Sequence, residues 1–156
     1  QVFQHIQRKG RTMNTQHIAI PPSTPNTDDA GKLVLRLSIG LLVLLHGIFK
    51  ITHGVGFIGG MLDKAGLPGF LAYGVYIGEV VAPLMMLLGV GARAGAAIVV
   101  VNMLVALGLV HMGDLFVITK QGGWALELQG LYLFGALAVA LLGAGRYSVM
   151  PPSRVN

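Results

Sequence analysis

The sequence predicts an all-α integral membrane protein, a four-helix bundle with both termini cytoplasmic. Three observations carry that reading. The 156 residues are 54% hydrophobic and only 11% charged, with a mean hydropathy of +0.72, whereas a soluble domain holds about 25% charged residues. Apolar stretches near 33–49, 70–88, 94–110 and 124–142 have the roughly 17–25 residues that a helix needs to cross a bilayer. The basic residues, finally, gather on one side of the topology those spans define.

The links between the spans are punctuated by Gly and Pro: THGVGFIGGMLDKAGLPG, GVGAR and HMGDLFVITKQGG. In hydrocarbon only helices and closed barrels satisfy their backbone, and alternating ten-residue strands are missing from the sequence. Four spans place both tails and the second link together. That side carries Arg8, Lys9, Arg11, Lys32, Arg93, Arg146 and Arg154; the other carries Lys50, Lys64 and Lys120, diluted by Asp63 and Asp114. The net charge of +5 therefore reads as a topology signal and a contact to anionic headgroups of a bacterial inner membrane, not as a nucleic-acid surface.

Residues 1–31 contain the polar stretch PPSTPNTDD, lack an apolar signal core and read as a disordered tail. Met13 reads as a start, with 1–12 outside the native chain. The membrane domain then covers 32–149, followed by a short tail, 150–156. The absence of cysteine excludes disulfides, thiol relays and thiolate-held clusters or haem. Glycine, at 23 residues, suits helices that pack closely in lipid, as does RAGAAIVVV in the third span.

Ionisable residues inside spans are costly and point to function. His46 and Lys50 lie four residues apart at the outer end of the first span, on one helical face. Glu79 falls about 13 Å below the outer surface at a rise of about 1.5 Å per residue. Tyr73, Tyr76 and Glu79 step by three along the second span, and Trp124 and Glu127 do so at the start of the fourth. These seven residues are the pocket candidates, with Glu79 and Glu127 as counter-charges to His46 and Lys50. A carboxylate as deep as Glu79 must be protonated or paired with a cation. The plainer readings are a snorkelling Lys50, a structural hydrogen bond from His46 and an interfacial anchor in Trp124. Arg36, at the inner end, is free to snorkel. Asn102 and His111 are nine residues apart, half a turn out of phase, so His111 is expected to point away. Pro83 is expected to kink the second helix and free the Glu79 carbonyl.

The strings RLSIGLLVLLHGIFK, LPGFLAYGVYIGE, LGVGAR and GGWALELQGLYLFGALAVALLGAGRYS resemble the DoxX family of small four-helix bacterial inner-membrane proteins. The resemblance runs over about 32–149. Its pattern falls on Arg36, Gly40, His46, Gly47, Lys50, Glu79, Arg93, Glu127, Arg146 and Tyr147. Ala82-Pro83 departs from the small residues that often follow the second-span glutamate, and Val149-Met150 replaces an acidic ending. The resemblance implies a membrane subunit tied to a quinone-linked redox system, described as an oxidoreductase, with a redox partner protein.

Chemistry offers the same ligand a site: His46 or Lys50 to donate to a quinone carbonyl, Glu79 to relay protons, and Tyr73, Tyr76 or Trp124 to stack. The alternative is a non-enzymatic accessory subunit that anchors a larger membrane complex. Transport is disfavoured by the apolar inner half. Haem between His46 and His111 is disfavoured by phase, and no metal site is expected.

Overall fold

The computed structural model describes residues 25–151 and 153–156; the expectations placed on 1–24 lie outside them. Helix α1, Pro25–His53, begins before the apolar run and carries Asp28 in its first turn, where a carboxylate complements the helix dipole. Residues 25–31, read from composition as tail, are thus helical. The helix stops at Gly54, φ 81°, whose amide donates to the Lys50 carbonyl at 2.8 Å. A left-handed glycine closing the last turn in this way is a frequent helix stop.

The first link holds a helix of its own, α2, Gly56–Lys64. Its end has the Schellman pattern: the Gly66 amide donates to the Asp63 carbonyl at 3.0 Å, and the Leu67 amide to the Leu62 carbonyl at 2.9 Å. The second span is composite. A 3₁₀ segment, Gly69–Gly74, leads to a π-helical turn, Ile77–Val81, and then to α3, Ala82–Leu88. In the wide turn the Ala82 amide donates five residues back, to Ile77. Pro83 has no amide to offer the Glu79 carbonyl, and the wider turn absorbs the break. Helices α4, Ala92–Val110, and α5, Glu127–Leu142, follow.

Segments Thr27–His53, Gly69–Leu88 and Ala92–Val110 are long and apolar enough to cross a membrane. The fourth helix is shorter than the sequence suggests: α5 has 16 residues, about 24 Å at the usual rise. Residues 124–126 are not helical, because Trp124 pairs with Ile118 in an antiparallel bridge closed by the turn at Gly122, φ 86°. That bridge is the extent of β structure among the described residues.

Helix α1 packs on α3 and α5, and α4 packs on the same two. The core between them contains Ile39, Val43, Met86, Val99, Tyr132 and Val139. At most 33% of each long apolar segment is buried, while Leu41, Leu45, Val101, Leu104 and Leu131 face outward. Apolar surface on this scale is stable against lipid and not against water. At the tail end Arg36 does not snorkel. It is 1% exposed and donates from Nη2 to the Tyr147 carbonyl, because residues 147–151 and 153–156 fold back over the helix ends. The Val149 and Met150 amides donate to Leu88 and Gly89 carbonyls at 3.1 and 3.2 Å.

Candidate functional site

Opposite the tail end, three helical segments converge on one ion pair. Lys50 Nζ lies 2.5 Å from each carboxylate oxygen of Glu79. The Glu79 side chain is 5% exposed and that of Lys50 26%. Asn102 Nδ2, from α4, donates to Glu79 Oε1 at 3.4 Å. The Tyr76 hydroxyl donates to the Lys50 carbonyl at 3.1 Å, a carbonyl the Gly54 amide already shares. The pairing offsets the cost of holding either charge in an apolar interior.

Two glycines make the convergence possible. A methyl on Gly47 would stand 2.2 Å from the Glu79 carbonyl oxygen, so α1 crosses the second span backbone to backbone. This is the carbonyl that Pro83 leaves without its helical donor. A methyl on Gly78 would stand 2.4 Å from Asn102 Cγ, so the missing side chain is what lets Asn102 reach Glu79. Small residues at such crossings are the usual way helices approach in lipid.

The remaining candidates go elsewhere. His46 diverges from its face-mate Lys50: its Nε2 lies 3.3 Å from the Tyr132 hydroxyl, the rings edge-on with centroids 5.6 Å apart. Tyr73 is exposed, its ring tilted against Tyr76 at 6.2 Å, because the 3₁₀ segment and the π turn do not keep one α-helical stripe. Glu127 is no counter-charge to Lys50 or His46. Its Oε1 accepts the Trp124 amide at 3.0 Å, a local cap on the turn before α5. Trp124 donates from Nε1 to the Leu115 carbonyl at 2.8 Å and lays its ring over Gly130.

His111 corrects the phase argument. Helix α4 ends at Val110 and His111 has φ −120°, so helical phase does not govern it. It shares a cavity lining with Asn102 and meets Gln129 Nε2 at 3.3 Å and Asp114 at 3.6 Å. Tyr132 and Gln129 escaped the sequence reading because neutral polar residues carry little cost signal there.

Beside the ion pair lies a cavity of about 830 Å³. Lys50, Glu79 and Asn102 supply its polar corner, and Ile58, Leu62, Ala72, Val105 and Leu109 are among its apolar walls. A mostly apolar chamber with a few convergent polar groups is the usual form of a small-molecule site.

Fold and site together define a helical membrane protein with a charged pair set into an apolar chamber. The sequence profile of the DoxX family matches residues 31–112, more than half of the chain, and the chain belongs to the DoxX family. The match takes in Arg36, His46, Gly47, Lys50, Glu79 and Asn102 and stops before Trp124, Glu127 and Tyr147. No curated relative and no solved structure matches the chain.

Proposed function

We propose that this DoxX protein is a four-span bundle of the bacterial inner membrane, tails cytoplasmic, whose chamber binds the head of a lipid-soluble quinone. The observation that carries the reading is the Lys50–Glu79 pair at the polar corner of a mostly apolar cavity. The pair is neutral as a unit, which favours an uncharged head. Lys50 supplies a donor for a carbonyl oxygen, Glu79 an acceptor for a proton, and the apolar walls receive ring and tail.

Reduction of a quinone to a quinol takes two electrons and two protons, one proton on each carbonyl oxygen. The cysteine-free chain has no thiol couple to donate the electrons, so they come from a redox partner protein. Lys50 and Glu79 then serve as proton-handling and positioning groups.

Binding of menaquinone or ubiquinone to the protein purified in mild detergent tests the reading. Wild-type protein is expected to bind, and Glu79→Gln to bind at least about tenfold more weakly, since a lost charged hydrogen-bond partner typically costs 1.5–3 kcal/mol. Absence of binding by the wild type, or equal binding by both, defeats it.

A further inference from the structure

We infer that α2 is a lid over the chamber, swinging on two glycine corners, and this inference rests on the quinone-site reading only for the identity of what the lid admits. Four observations converge. Phe57, Ile58, Met61 and Leu62 of α2 all line the same cavity as Lys50 and Glu79, so the helix closes the chamber on that side. It is bracketed by Gly54, φ 81°, and Gly66, φ 73°. Neither glycine has an atom within 4 Å of where a side chain would begin, so each corner faces open space on that side.

Between the corners the helix is a stiff unit, stopped by its Schellman bonds at Gly66 and Leu67. Its hold on the rest of the molecule is slight. Leu62, Val55 and Ala72 form a cluster separate from the core of the long helices, and α2 rests chiefly on the 3₁₀ segment, touching α4 only lightly. No ion pair joins α2 to another element among the described residues. Segments with few buried apolar contacts open at low free energy while the core stays closed. Lifting α2 uncovers the chamber without disturbing the Gly47–Glu79 crossing, since the hinge at Gly54 lies beyond Lys50. Glu79 is the deepest group of the polar corner, 5% exposed against 26% for Lys50, and lifting α2 widens the approach to it.

The absence of cysteine gives a clean test by thiol labelling of single-cysteine variants in membranes. Leu62→Cys and Val55→Cys report the lid cluster. Val99→Cys reports the core, since Val99 is fully buried. A permeant maleimide is expected to modify the two lid positions at least about tenfold faster than position 99, the signature of local opening, and added decyl-ubiquinone is expected to slow the lid positions alone. Equal protection of lid and core overturns the lid. So does quinone that binds and leaves lid labelling unchanged. Fast lid labelling in a protein that binds no quinone defeats the ligand reading and leaves the moving helix standing.

Discussion

At the residue scale, the Lys50–Glu79 pair and Gly47 decide whether the site exists. Removing one member of a buried pair costs about 3–5 kcal/mol because the other charge is left uncompensated. Lys50 is partly exposed, which places Glu79→Gln at the low end of that range. Lys50→Met with Glu79→Gln removes both charges and is expected to be more stable than either single variant. Lys64→Ala, an exposed lysine, should stay within about 0.5 kcal/mol of wild type. Thermal unfolding in detergent of wild type, the two single variants and the double variant measures this coupling, and additive losses would mean the pair does not interact. Gly47→Ala is expected to cost about 1–3 kcal/mol by overpacking, because its methyl meets backbone and not a movable side chain. Gly74→Ala meets nothing within 4 Å and is the matched control, with the same unfolding measurement separating them.

The sequence made these two charged residues legible through their cost: an acid and a base within apolar runs have few solutions other than each other. His46, Tyr73, Trp124 and Glu127 lie apart from the pair because spacing is an incomplete guide. A separation of three links Trp124 and Glu127, as on a helix face, yet here it describes a carboxylate capping a turn. A separation of four links His46 and Lys50, but side chains at one face can lean to opposite neighbours. Arg36 was the costliest misreading: hydropathy put it at a helix end, and only the fold-back of the last residues buries it.

At the element scale, the departures from ideal helix lie where the site is. Three conformations share the second span, and its π turn contains Glu79. Pro83 signalled the break in sequence, whereas the 3₁₀ start and the helix α2 in the first link gave only Gly-rich, weakly periodic stretches. An extra residue in a turn rotates what precedes it by about 100° relative to regular α-helix, so the π turn sets the direction in which Glu79 points. Pro83→Ala restores the donor that a regular helix would use at Glu79. It is expected to preserve membrane insertion and to lower quinone affinity about as much as Glu79→Gln, with the Lys50–Glu79 coupling energy falling below about 0.5 kcal/mol in the double-mutant cycle. Unchanged coupling in the Pro83→Ala background would show that the proline does not aim the carboxylate.

At the scale of the whole molecule, the two ends of the helices are built differently. One end is a chamber walled on one side by the small helix α2. The other is closed by the chain's own last residues, which supply the acceptors that α4 lacks: the Val155 carbonyl takes the Arg93 and Ala94 amides at 3.1 and 3.4 Å, and Asn156 Oδ1 takes the Ala92 amide at 3.1 Å. The first amides of a helix have no partner within it, and losing a cap costs about 1 kcal/mol. The same segment covers Arg36, whose Nε and Nη1 already lack hydrogen-bond partners among the described residues. Removing residues 147–156 therefore uncaps α4 and releases Arg36 to water, two effects of opposite sign. Uncapping affects three amides, and hydration of one guanidinium relieves a cation that has no carboxylate partner among the described residues. Truncation is accordingly expected to lower stability by only about 1–2 kcal/mol, less than three lost caps would at about 1 kcal/mol each. Arg36→Met on top of the truncation should then cost little, whereas in the full-length chain it removes the bond to Tyr147 and loosens the segment, seen as faster proteolysis after residue 146. A truncated protein that unfolds outright would mean that the closing segment holds the long helices together and does more than cap them.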